Sequence, residues 1–271
     1  MIQINQMYFA YKKDIPLFEN LSLEINSGGI YGLLGKNGAG KTSLIKIISG
    51  LLFPHNGNVN VLGFNPPKRS PLFLSQLILL PEEFDLPPMS IKRYEEVFSS
   101  FYPDFDKDKF KLYLAKFDLD SFVLQNMNTL SYGQKKKALL SFAFASNTKL
   151  LLLDEPTNGL DIPSKAVFRK LCIEASDNDK VFIISTHQVK DVERLLDQII
   201  IIDKGKIVSN QSINEISQTY KFEFVDSLDN ISFLYSEQML DGYKIITDNS
   251  TNEPSQIDIE LYFNAIINKN K

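Results

Sequence analysis

The stretch Gly35-Lys36-Asn37-Gly38-Ala39-Gly40-Lys41-Thr42 fits the pattern G-x-x-x-x-G-K-[ST], a cradle for phosphates. Its glycines let backbone amides wrap the β- and γ-phosphates, and the helix that opens behind it adds a positive partial charge. Lys41 supplies a cation, and the Thr42 hydroxyl can ligate Mg²⁺. A bare glycine turn is the competing reading. The context, directly after an apolar run and opening a helical one, favours the phosphate loop.

A second constellation is Leu150-Leu151-Leu152-Leu153-Asp154-Glu155, an apolar strand delivering two adjacent carboxylates at its carboxyl end, where ligands sit in open parallel sheets. Asp154 can hold Mg²⁺ through water, and Glu155 can orient an attacking water as a general base. His187 follows a third apolar run, Val181 to Thr186. A lone histidine is usually structural, but one at the same sheet edge could contact a γ-phosphate and sense its loss.

Other reactive residue types have plainer readings. Cys172 shares a helical face with Phe168 and Ala175, so it reads as a small core residue. Lys135-Lys136-Lys137 reads as a solvated helix face that also raises the local potential. Phe98, Phe101, Tyr102 and Phe105 recur at helical spacing and read as packing rather than a base-stacking platform. Asp104, Asp106 and Asp108 alternate like a calcium loop but lack its glycine and terminal glutamate, so a helix cap or loop is expected.

The elements that must position these groups follow from periodicity. Gln3 to Phe9, Leu21 to Ile25 and Asn58 to Leu62 alternate as strands, partly in antiparallel hairpins. Ile30 to Leu34, Leu150 to Leu153 and Val181 to Ser185 are continuously apolar, as central strands of a parallel sheet covered on both faces should be. Ser43 to Ile48 reads as helix, and another begins near Asp161, whose carboxylate can cap it with Pro163 in the first turn. Residues from about 84 to 147 lack strand alternation and read as a mostly helical insertion. After roughly Ser212 a third texture appears. Phe222 and Phe224, Ile231 to Tyr235 and Tyr243 to Ile246 alternate, and a helical Ile257 to Ile267 follows. The expected organisation is an α/β domain over 1–212 and a small α+β unit over 213–271.

Composition closes off other classes. With 29 basic and 33 acidic residues the net charge is −4, so no global positive field draws the chain onto nucleic acid. One cysteine excludes an intramolecular disulfide, and two histidines with it are too few for a Cys/His zinc cluster. The apolar runs fall far short of the roughly 20 residues a spanning helix needs. The amino terminus has no secretion-signal pattern, so a cytosolic chain is expected.

Between the phosphate loop and the acidic strand lies Leu130-Ser131-Tyr132-Gly133-Gln134, and Gly159-Leu160-Asp161 follows that strand. In this order the motifs resemble the nucleotide-binding subunit of an ATP-binding-cassette (ABC) transporter. The resemblance implies a phosphate-loop ATPase core with an antiparallel edge sheet. It implies that ATP is held by Gly35 to Thr42 and Ser43, with Tyr11 stacked on adenine. Mg²⁺ would be held by Thr42, Asp154 and Glu82. Glu155 matches the catalytic base, His187 the switch histidine and Asp161 the loop that meets the opposite subunit.

It also implies that two subunits, identical or homologous, close face to face. Each ATP would then lie between one phosphate loop and the other chain's Ser131, Tyr132, Gly133 and Gln134. The expected partner is an integral membrane permease that holds the chain on the inner face of the membrane, with export of drugs, antibiotics or peptides as the expected role. A soluble cassette ATPase serving a protein assembly, such as iron–sulfur machinery, remains the alternative. A DNA-acting one would want a long coiled coil, and a ribosomal one two cassettes. Two positions depart from the family pattern. Tyr132 stands where glycine is usual, with an expected positive-φ penalty. Glu82 stands where glutamine is usual, and could still take a Mg²⁺ water or be a solvent-facing loop acid.

Overall fold

The computed structural model describes residues 1–12, 14–250 and 254–269. The chain first lays down β1 (Ile2–Lys12), β2 (Ile15–Ile25), β3 (Gly29–Leu34), α1 (Lys41–Ile48), β4 (Asn56–Val61), α2 (Pro71–Leu74) and β5 (Leu77–Leu80). The insertion carries α3 (Ile91–Phe98), α4 (Lys107–Lys116) and α5 (Tyr132–Ala145). Then come β6 (Leu150–Asp154), α6 (Ile162–Ala175), β7 (Val181–Thr186), β8 (Gln198–Asp203) and β9 (Lys206–Ser212). The last part holds α7 (Ile213–Thr219), β10 (Tyr220–Val225), β11 (Tyr235–Met239), β12 (Gly242–Asp248) and α8 (Ile259–Lys269).

The central sheet has the order β5-β6-β7-β3-β8-β9, parallel except for the β8–β9 hairpin. Its strands β3, β6 and β7 are buried almost throughout, which is why their sequences are apolar without alternation. A second, antiparallel sheet, β2-β1-β4, covers one face together with α1. The other face is covered by α5, α6 and the insertion. Registers align the functional ends: Leu34 pairs with Thr186, and Asp154 with Ser185. The loops that follow β3, β6 and β7 therefore emerge along one edge.

Caps set where the helices start. Asp161 accepts from the Ser164 amide at 2.8 Å with Pro163 in the first turn of α6, and Asp106 caps α4. Cys172 is fully buried beside Phe168 and Leu171, and burial pushes its thiol pKa well above the ordinary value.

Four local expectations change. Phe98 to Phe105 is not one helix: α3 stops at Phe98, and Tyr102, which precedes Pro103, is extended, as the proline ring requires. Phe98, Tyr102 and Phe105 do pack into the core, with Phe105 4.8 Å from Phe142, whereas Phe101 is exposed. Ile231 to Tyr235 is not a strand. The turn at Leu240-Asp241 sets a hairpin whose register runs from Met239↔Gly242 to Tyr235↔Ile246, so pairing begins only at Tyr235. The last helix starts at Ile259, with Asp258 Oδ1 accepting from the Leu261 amide at 3.0 Å. Helix α7 was missed, although Ser212 and Glu215 form a capping box that the S-x-x-E spacing signals.

The carboxyl-terminal part shares its core with the rest. Ile216, Ile259, Tyr262 and Ile267 belong to the same buried cluster as Ile199 and Ile201. Tyr262 also donates to Gln211 Oε1 on β9 at 2.5 Å.

Candidate functional site

The phosphate loop joins β3 to α1. Gly40, the residue before α1, sits at φ +109, and a Cβ there would meet the Phe18 ring at 2.5 Å. Only glycine allows both the left-handed turn and that approach. Lys41 is buried, and its Nζ donates to the Gly35 carbonyl at 2.8 Å. Burial lowers its pKa, while Glu155, Asp154 and Glu82 oppose that shift.

At the neighbouring strand end, Thr42 Oγ1 donates to Asp154 Oδ2 at 2.7 Å, and Ser185 Oγ donates to Asp154 Oδ1. Glu155 is buried in the left-handed region at φ +47, a conformation that persists only when its surroundings hold it. Its amide donates to the Ser185 carbonyl at 3.0 Å. Its Oε1 lies 2.7 Å from His187 Nδ1 and accepts from the His187 amide at 3.0 Å. Its Oε2 is buried with no hydrogen-bond partner among the described residues.

These groups fit a divalent cation. Hydroxyl and carboxylate oxygens are the donors Mg²⁺ prefers, and it ordinarily completes its shell with water and substrate phosphates. Among the described residues no three His, Cys, Asp or Glu side chains cluster to enclose a metal by themselves. Glu82 is not bonded to Thr42 or Asp154; its Oε1 accepts from Asn158 Nδ2 at 3.1 Å.

Tyr11 lies beside the loop, 63% exposed, with its hydroxyl 2.9 Å from Ser43 Oγ and its ring edge-on to Phe9. Lys36, Asn37 and His187 line an open cleft of about 560 Å³ that is also lined by Glu260 of α8, which pairs with Lys190 at 2.9 Å.

The Ser131 to Gln134 segment opens α5. Ser131 is exposed and forms a reciprocal capping box with Gln134. Tyr132 is the first helical residue and has no positive φ, so the expected backbone penalty is absent. Its ring stacks on Phe84 at 5.4 Å and its hydroxyl donates to the Glu82 carbonyl at 2.6 Å. A Cβ on Gly159, at φ +79, would strike that ring at 2.6 Å. The phenol thus occupies space that the loop glycine leaves open. Asp161 contacts this helix through Lys137 at 3.4 Å.

The lysine run is not one solvated face. Lys136 is fully buried, and its Nζ donates to the Glu155 carbonyl at 2.7 Å. The signal was present in the sequence. Leu140 and Ala143, four and seven residues on, are buried too, so helical periodicity puts Lys136 on the core stripe. Ser185 was also missed, because a serine ending an apolar strand carries no signal until the register sets it opposite Asp154.

Comparison with known proteins agrees with this arrangement. The ABC transporter family profile matches residues 18–158. An uncharacterized ABC transporter ATP-binding protein of Methanocaldococcus jannaschii, MJ1023, is 30% identical over 85% of this chain and 83% of its own. The ABC transporter ATP-binding protein YtrB of Bacillus subtilis is 27% identical over 81% and 75%. Among solved structures, the ATP-binding cassette MJ0796, a post-hydrolysis dimer bound to ADP and phosphate, has a TM-score of 0.68. It is 21% identical over 78% of this chain and 98% of that one, which shows the fold.

Proposed function

Since this chain belongs to the ABC transporter family as an ATP-binding subunit and ATPase, we propose that it closes face to face with a second copy or a homologous subunit around two ATP molecules and drives a membrane permease. The observation that carries this reading is the convergence of Lys41, the Thr42–Asp154 pair and the Glu155–His187 pair at one sheet edge.

In the proposed reaction the phosphate-loop amides and Lys41 hold the β- and γ-phosphates, while the exposed Tyr11 ring receives adenine. Mg²⁺ at Thr42 and Asp154 would offset charge on the phosphates. Glu155, with Oε1 tied to His187, uses Oε2 to take a proton from water as that water's oxygen bonds to the γ-phosphorus. The bond to the bridging oxygen of ADP breaks as this new bond forms. The exposed Ser131 and the start of the 14-residue α5 suit a phosphate from the opposite subunit, and Asp161 would meet that subunit.

We read residues 1–212 as the ATPase domain, with its helical subdomain at about 84–147, and 213–271 as an accessory unit. Among the described residues no helix is long and apolar enough to cross a membrane; in this reading a separate permease chain holds this one on the inner membrane face. Export is the favoured direction, from the single cassette, Glu82 and the short appended segment. Purification of the tagged chain from detergent extracts, with mass spectrometry of stoichiometric partners, tests the reading. A multi-span membrane protein is expected. Exclusively soluble partners would move the assignment to an assembly ATPase, and a required external substrate-binding protein would overturn export.

A further inference from the structure

Lys136 is fully buried in the first turns of α5. An ammonium is costly to bury unless its donors are used, and here two of the three are. Nζ donates to the Glu155 carbonyl at 2.7 Å and to the Tyr132 hydroxyl at 3.4 Å, and it lies 5.5 Å from the centre of the Tyr132 ring. Burial disfavours its charged form, and the negative charges of Glu82, Glu155 and Asp154 oppose that shift.

The Glu155 peptide is thereby held from both sides. Its amide is fixed by Ser185 on β7 and its carbonyl by Lys136 on α5. Such two-sided restraint is what a non-glycine residue at φ +47 needs to stay there. Through Tyr132, the same ammonium is joined to the opening turn of α5 and to the Glu82 carbonyl.

We propose that Lys136 is a positioning residue for ATP hydrolysis, locking the Glu155 peptide so that the carboxylate faces the attacking water and transmitting the placement of the Ser131–Gln134 turn to it. This rests on the reading of Glu155 as the base and of the Ser131–Gln134 turn as the element facing the opposite ATP. On that reading Lys136 links one subunit's contact with its partner's ATP to hydrolysis of its own. Lys136 touches no reacting atom, so its effect belongs in kcat and not in ATP affinity.

The test compares Lys136→Met, Lys136→Arg, Tyr132→Phe and the Lys136→Met/Tyr132→Phe double variant. Each is measured by equilibrium ATP binding, steady-state hydrolysis and thermal midpoint. Lys136→Met is expected to keep ATP affinity while kcat falls roughly 10- to 100-fold, the worth of a charge-assisted hydrogen bond, and Lys136→Arg to restore most of it. Tyr132→Phe should lower kcat in the native background and add nothing once Lys136 is gone, as coupled sites do.

An unchanged kcat in Lys136→Met, or additive losses in the double variant, overturns the proposal. Should Lys136→Met fail to fold, Tyr132→Phe decides alone: the residue is 44% exposed, and a native kcat there overturns the proposal. Glu155→Gln separates the two readings. If it hydrolyses normally, the base assignment falls; if it is inactive while Lys136→Met is not, only the Lys136 inference falls.

Discussion

His187 binds Glu155 twice at the same oxygen: its Nδ1 is 2.7 Å from Oε1 and its backbone amide 3.0 Å from it. One carboxylate oxygen is thus anchored and the other, Oε2, is buried with no hydrogen-bond partner among the described residues. The histidine side chain is 42% exposed and the glutamate side chain 6%, so the pair runs from a surface that a phosphate can reach to an interior that orients the base.

Replacing His187 by Ala removes the side-chain half of that anchor and keeps the amide half. Steady-state hydrolysis should show kcat falling by roughly 10- to 100-fold, the range of a hydrogen bond to a charged group, with little change in ATP affinity. A native rate would show that the amide alone orients Glu155.

Glu155→Gln preserves shape but removes the proton acceptor. Turnover should fall by roughly 10²- to 10⁴-fold while ATP still binds. Light scattering should then find a dimer that persists with ATP and dissociates when ATP is withdrawn.

Lys41→Ala acts earlier. The ammonium is held over the loop by the Gly35 carbonyl; on the proposed reading it meets the phosphates there, so its loss should weaken ATP binding itself. Equilibrium binding checks this, and an undiminished affinity would remove Lys41 from phosphate recognition.

Lys136 also makes stability pH dependent. Burial lowers its pKa from 10.5 to about 8, against the pull of Glu82, Glu155 and Asp154, and Tyr132 is its other neighbour. Between about pH 8 and 10.5 the unfolded chain keeps a proton that the folded chain has released, so this residue's contribution to stability rises with pH across that window. Below it both states are charged and the burial penalty is fully felt. Denaturant unfolding of the native chain minus that of Lys136→Met should show a difference growing from pH 8 to 10.5. A flat difference would mean that the ammonium is not desolvated.

Ending the chain after Ser212 should lower the thermal midpoint rather than leave an unaffected ATPase domain. It uncovers the cluster that Ile216, Ile259, Tyr262 and Ile267 complete, where each large side chain contributes about 1.5–3 kcal/mol. Scanning calorimetry of both lengths checks this; an equal midpoint would make 213–269 thermally independent.

Continuous apolar runs announced β3, β6 and β7 because strands buried on both faces leave no room for polar side chains. The phosphate loop was legible because its chemistry lies within eight consecutive residues. The sequence by itself determined the α/β class, the strand that delivers Asp154 and Glu155, and the cap at Asp161, all of which depend on near neighbours in the chain. It could not show that Lys136 is buried against Glu155, that Tyr132 fills the space over Gly159, or that Ser185 faces Asp154. Only the tertiary structure decided these, since each depends on the register or packing of elements distant in the chain, and a lysine's surroundings are absent from the residues beside it.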